Sequence, residues 1–119
     1  MEYCNQKDLQ NYLKSQRKKY TLCELEIRYY FMQILKGFKD LHSKMFLHRD
    51  IKPQNILVSN GVIKIADFGF AQKFNEFGEK RVTFAGTPQT AAPQIILHMP
   101  YTDKCDIYSL GVILYWMIY

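Results

Sequence analysis

His48-Arg49-Asp50-Ile51-Lys52-Pro53-Gln54-Asn55, followed by Asp67-Phe68-Gly69, is the stretch on which the reading of this chain turns. In order along a short span it sets a carboxylate, an ammonium, an amide and a second carboxylate. Between the two runs lie Ile56-Leu57-Val58 and Val62-Ile63-Lys64-Ile65, separated by Ser59-Asn60-Gly61. Asn-Gly supplies the positive φ angles of a tight turn, so the pattern predicts a small hairpin with Asn55 at one end and Asp67 just past the other.

Upstream, Leu9 and Leu13 are four apart in a short helix predicted over Asp8 to Lys14. Leu22, Ile27, Phe31, Ile34, Phe38 and Leu41 then keep mostly three- and four-residue steps, which predicts a long helix with one buried stripe leading straight to His48. Downstream, Phe70 to Pro93 is rich in polar, Gly and Pro positions and reads as a long functional loop. Ala91 to His98 reads as a short helix and Lys104 to Tyr119 as a strongly apolar one. Its residues Leu110, Val112, Ile113, Leu114, Trp116, Met117 and Ile118 are apolar nearly all round, the pattern of a buried helix.

A chain of 119 residues with 48% hydrophobic content, nine Tyr and eight Phe is expected to be globular and to form one small domain. It has no unbroken apolar window of membrane-spanning length, so no membrane partner is expected. Cys4, Cys23 and Cys105 lack C-x-x-C spacing and are odd in number, which favours buried thiols in a reducing compartment. No secretory signal follows Met1, so a cytoplasmic location is expected, with a nuclear one left open. The formal charge of +5 is concentrated in Lys14 to Lys19, read as a solvated basic loop without the aromatic interleaving of a nucleic-acid site.

Transfer of a phosphoryl group rests on positioning and charge stabilisation, so it needs a carboxylate near the incoming hydroxyl and oxygen ligands for metal between the phosphates. Mg²⁺ takes hard oxygens and keeps several waters, so one carboxylate and one amide suffice. A lone Asp-Phe-Gly is more often a turn, and a lone His-Arg-Asp more often a structural histidine beside an ion pair. The ordered set around a hairpin is another matter. It resembles the catalytic loop and metal-binding motif of eukaryotic-type protein kinases. The implied fold is α+β, mostly α: the large C-terminal lobe of a kinase-like fold, from hinge to central helix, with a small hairpin beside the catalytic loop.

By that resemblance Asp50 orients the substrate hydroxyl, Lys52 steadies the γ-phosphate, and Asn55 and Asp67 hold Mg²⁺. Glu2 and Cys4 would offer hinge backbone groups to adenine, with Met1 at the gatekeeper position, Asp8 near the ribose and Leu57 under the base. Asp106, in Asp106-Ile107-Tyr108-Ser109-Leu110-Gly111, would hold the catalytic-loop backbone. Lys52 with Thr87, in Gly86-Thr87-Pro88, points to serine/threonine kinases, with Mg·ATP and a protein Ser/Thr acceptor as partners. Arg49 implies control by activation-loop phosphorylation, with Thr83 the candidate acceptor for an upstream kinase.

The resemblance also carries departures. Gln94 replaces the usual Glu of Ala-Pro-Glu, Thr90 stands where Tyr is common, Tyr108 replaces a Trp, and Trp116 sits where kinases that favour basic neighbours often carry Glu. The Gly-rich loop, the phosphate-clamping strand Lys and its Glu partner would all precede Met1, so the small ATP-binding lobe and the last helices are expected to be absent from residues 1–119. A non-catalytic interaction module and a truncated gene product therefore stand beside the kinase reading.

Overall fold

A computed structural model describes residues 7–119. Met1, Glu2 and Cys4, expected at the adenine end of the site, lie outside the described residues.

Helix α1 spans Leu9–Arg17 and begins where Asp8 accepts a hydrogen bond from the Asn11 amide at 2.9 Å, an N-cap that satisfies one of the orphan donors of the first turn. Leu9 and Leu13 are fully buried. The helix runs past its expected end at Lys14, so Lys14 and Arg17 occupy its last turn and not a basic loop; positive charge there suits the helix dipole.

Helix α2 spans Glu24–Ser43. Its start is fixed by Glu26, whose carboxylate accepts from the Cys23 amide at 2.9 Å and from the Tyr20 hydroxyl at 3.0 Å. The predicted stripe is real but narrower than expected. Ile34 and Phe38 are buried, Ile27, Phe31 and Leu41 are half-buried, and Leu22 is buried ahead of the helix. Nor does the helix lead straight to His48. A turn with Met45 at φ 63° is followed by strand β1, Phe46–Leu47, which pairs antiparallel with β4, Gln72–Lys73. Two-residue strands are too short to leave a periodic signal in sequence.

The hairpin forms as predicted. Strand β2 (Ile56–Ser59) pairs antiparallel with β3 (Val62–Ile65), Ile56 opposite Ile65 and Ser59 opposite Val62. Asn60 and Gly61 take φ 51° and 77°, the left-handed pair that matches strand twist. Gln33 of α2 fastens the turn, its Nε2 donating to the Gly61 carbonyl and its Oε1 accepting from the Ile63 amide, both at 2.9 Å.

The segment after Phe70 is mainly irregular, but it is tied down by β4 and by a backbone pair between Arg81 and Tyr101 at 2.7 and 2.8 Å. Helix α3 is only Pro93–Ile96, shorter than the expected Ala91 to His98. Helix α4 spans Cys105–Ile118.

Two apolar clusters hold these elements. Leu9, Leu13, Ile34, Phe38, Ile113 and Met117 join α1, α2 and α4 beneath the hairpin. Leu47, Phe74, Ile95 and Tyr101 join β1 to the later segment. Between them Asp103 accepts from the Gly78 amide at 2.8 Å and sits 3.1 Å from Nε2 of His42. Burial alone would raise its carboxyl, but the Gly78 and His42 contacts hold it below the ordinary value. Cys105 is a buried thiol pushed up to about 12 by burial beside Asp106, so it is chemically quiet; Cys23 is exposed and unbridged. Helix α4 buries one side only, leaving Ile107, Tyr108, Tyr115 and Ile118 exposed. Among the described residues, no helix is long and apolar enough to cross a membrane.

Candidate active site

The loop between β1 and β2 is held from below by a single carboxylate. Asp106, in the first turn of α4 and fully buried, accepts from the His48 amide at 2.8 Å and from the Arg49 amide at 2.9 Å. Burial pushes its carboxyl above the ordinary range, while the two amides and the nearby His48 and His42 pull the other way. Arg49 sits at φ 65°, a left-handed conformation that a non-glycine residue keeps only when its surroundings enforce it. Two amides turned toward one carboxylate provide that enforcement.

His48 is a packing and orienting residue. Its Nε2 lies 2.9 Å from the Ala66 carbonyl and its Nδ1 accepts from the Asp50 amide at 3.2 Å, which together define the tautomer with the proton on Nε2. The ring also meets Phe68 edge-on, with centroids 5.3 Å apart. Through His48 this loop and the Asp67-Phe68-Gly69 run are thus coupled.

On this base the structure brings four side chains together. The Asp50 Oδ1 accepts from the Thr87 hydroxyl at 2.8 Å. Its Oδ2 accepts from Asn55 Nδ2 at 3.1 Å and faces Lys52 Nζ at 3.5 Å. Lys52 Nζ also donates to Thr87 Oγ1 at 2.8 Å. The Thr87 hydroxyl therefore accepts from Lys52 and donates to Asp50, closing a ring of charge-assisted contacts of the stronger kind. The Asp50 side chain is only 4% exposed and that of Lys52 24%, so access to the carboxylate runs beside the lysine.

Asn55 closes the short 3₁₀ turn Pro53–Asn55. Both its Nδ2 contacts go to Asp50, to the carbonyl at 2.9 Å and to the carboxylate, and no hydrogen bond from the described residues engages its Oδ1. Asp67 is exposed at φ 56°, with Oδ1 accepting from the Gly69 amide at 3.2 Å. One free amide oxygen and one partly free carboxylate fit the sparse protein ligation that Mg²⁺ takes when phosphates and waters complete its shell. Among the described residues there is no cluster of three His, Cys, Asp or Glu of the kind a dedicated metal cage would use.

Gly86 approaches this loop closely. At φ 96° it lies against the Arg49 carbonyl, where any Cβ would collide with the oxygen, so the Gly86-Thr87 pair is placed by backbone fit. Arg49 itself donates from Nε to the Phe70 carbonyl at 2.7 Å and from Nη1 to the Tyr101 hydroxyl at 3.1 Å. That hydroxyl donates to the Thr83 carbonyl at 2.6 Å. Arg49 thus reaches Thr83 through Tyr101 and its main chain, and the exposed Thr83 side chain does not meet it. Sequence reasoning missed Tyr101, Ala66 and the direct role of Thr87 as a bridge. Tyr101 lies outside the motifs, and Ala66 acts only through its backbone.

Asp8 and Leu57 face each other across a bridge pair at the start of the hairpin. The Asp8 carboxylate is occupied by Asn11, through the amide and through Nδ2 at 2.9 Å. Leu57 is half-buried. Gln94 is exposed, and the buried Thr90 turns its hydroxyl toward the Thr87 carbonyl at 3.4 Å.

A loop pinned by a buried carboxylate, a second carboxylate ringed by donors, and an amide and a third carboxylate flanking a hairpin are arranged as in the large lobe of a protein kinase domain. The chain belongs to the protein kinase domain family, which it matches over residues 1–119. It is 42% identical to the human serine/threonine-protein kinase ULK1 over 97% of this chain and 12% of that protein. It is 44% identical to mouse serine/threonine-protein kinase Nek5 over 97% of this chain and 18% of that protein. Against serine/threonine-protein kinase unc-51 of Caenorhabditis elegans the identity is 40%, over 97% of this chain and 14% of that protein. The chain spans less than a fifth of the length of these relatives.

If Asp106 is what holds the loop, Asp106→Ala in the full-length protein leaves two buried amides without an acceptor. Each should cost about 1–3 kcal/mol. Asp106→Asn, which keeps one acceptor oxygen, should lose less. Chemical denaturation reads the difference, and wild-type stability in the alanine variant would contradict the assignment.

Proposed function

We propose that the protein is a serine/threonine protein kinase that transfers the γ-phosphoryl group of Mg·ATP to a protein hydroxyl. The observation that carries this reading is the convergence of Lys52, Asn55 and Thr87 on the Asp50 carboxylate. Three donors hold it in one orientation, which is the positioning that phosphoryl transfer draws on. Asp50 orients the acceptor hydroxyl and takes its proton as the new O–P bond forms and the bond to ADP breaks. Lys52, shared between Asp50 and Thr87, lies where its charge can meet the transferred group.

Asn55 Oδ1 and an Asp67 oxygen would hold Mg²⁺, which supplies charge neutralisation between the phosphates when bound. Leu57 would lie under the base and Asp8 near the ribose; by the family resemblance Glu2 and Cys4, outside the described residues, would offer backbone groups to adenine. Serine/threonine preference is supported by the likeness to serine/threonine-protein kinases and by the Lys52 to Thr87 contact, which ties the catalytic loop to the segment that would meet the acceptor.

Asp50→Asn keeps the shape of the side chain and removes the base. In the full-length protein kcat should fall by about 10²- to 10⁴-fold with nucleotide affinity unchanged, measured by phosphate transfer and by titration calorimetry. Retained turnover would overturn the reading.

Arg49 is the basis of a regulatory proposal. A phosphate on Thr83, placed by an upstream kinase, would add charge beside a guanidinium already linked to the Thr83 main chain through Tyr101, and so order the segment. Thr83→Ala should then abolish activation by phosphorylation; equal activity of the variant and the phosphorylated wild type would refute it.

A further inference from the structure

We infer that Tyr101 is a positioning residue for phosphoryl transfer, its hydroxyl acting through Arg49 to hold the stretch before Gly86-Thr87 against the loop that carries Asp50. This rests on the kinase reading above and adds a residue that lies outside the sequence motifs. Tyr101 is 4% exposed and packs its ring among Leu47, Phe74 and Ile95. Its main chain exchanges two hydrogen bonds with Arg81. The hydroxyl is thereby fixed between two groups, accepting from Arg49 Nη1 at 3.1 Å and donating to the Thr83 carbonyl at 2.6 Å.

Each end of that bridge depends on it. Arg49 is 8% exposed, and among the described residues no carboxylate forms an ion pair with its guanidinium. A buried cation is tolerated only where acceptors engage it. Here they are the Phe70 carbonyl, 2.7 Å from Nε, and the Tyr101 hydroxyl. At the other end Val82, Thr83 and Phe84 are exposed. Among the described residues, the bond from Tyr101 to the Thr83 carbonyl is the one hydrogen bond that residues 82–85 make. The chain then passes to Gly86, packed on the Arg49 carbonyl, and to Thr87, whose hydroxyl donates to Asp50. Arg49 therefore closes a short path, its side chain holding Thr83 through Tyr101 and its carbonyl meeting Gly86. A phenol can serve both ends because one oxygen is donor and acceptor at once. Phenylalanine would fill the same space and offer neither.

The test is a double-mutant cycle in the full-length protein, read as kcat and as KM for ATP in transfer to a serine peptide. Tyr101→Phe should lower kcat by about tenfold or more, the equilibrium weight of one hydrogen bond to a charged group. KM for ATP should stay unchanged, since what is lost orders the reacting groups and not the nucleotide. Arg49→Met should lower kcat as well. In that background Tyr101→Phe should change kcat by less than about twofold, because residues that act as one unit do not add. Ile95→Val, a packing loss in the same apolar cluster, should lower Tm and leave kcat unchanged, which separates positioning from support of the fold. Wild-type kcat in Tyr101→Phe overturns the inference, as do additive losses in the double variant or an equal fall in kcat from Ile95→Val. A wild type that transfers phosphate to no peptide or protein acceptor would overturn the kinase reading itself, an outcome distinct from these.

Discussion

The Asp106 carboxylate, sunk at the start of α4 and receiving the amides of His48 and Arg49, is the interaction from which the geometry of the site follows. A carboxylate in an apolar setting is costly unless it is fully engaged. Here the cost is offset by two backbone donors that themselves have no strand or helix partner at that point. The exchange makes the loop conformation, including the left-handed Arg49, the one in which buried donors and acceptor are satisfied together. Because α4 also carries Leu110, Ile113 and Met117 into the main core, the loop is referenced to that core.

From that anchor the geometry propagates by short steps. Fixing Arg49 places its carbonyl against Gly86, which admits no side chain there, and so positions Thr87 over Asp50. Fixing His48 orients a ring that touches both the Asp50 amide and the Ala66 carbonyl, and so couples the loop to the hairpin that carries Asp67. Non-glycine residues at positive φ occur at both Arg49 and Asp67. Strain of this kind gathers where function over-determines the backbone. The site is therefore a set of side chains held by backbone constraints from three different elements, and its preorganisation derives from the core.

Much of this was legible in the residues. The Asn60-Gly61 turn, the hairpin and the apolar face of α2 follow from local rules that act within a few residues. The placement of Asp50, Asn55 and Asp67 along one short span was visible too, because the motif order carries it. What was not legible depends on contacts far apart in sequence. The ladder between Phe46–Leu47 and Gln72–Lys73 rests on two residues a side, too few for a pattern. Tyr101 reaches Arg49 across more than fifty residues, and Thr87 reaches Lys52 across thirty-five; nothing in either local sequence announces a partner. Lys14 and Arg17 misled as a loop because charge runs and helix C-terminal turns share a composition.

If the Asp106-pinned loop and the hairpin beside it serve phosphoryl transfer, they must present Asn55 and Asp67 as the protein ligands of a nucleotide-bound metal. Electron paramagnetic resonance of Mn²⁺, added to the full-length protein with a non-hydrolysable ATP analogue, reads this out. Nucleotide-dependent Mn²⁺ binding should be weakened by Asn55→Ala and by Asp67→Ala, each without loss of the folded state by circular dichroism. Binding indifferent to both substitutions in the folded protein would contradict it.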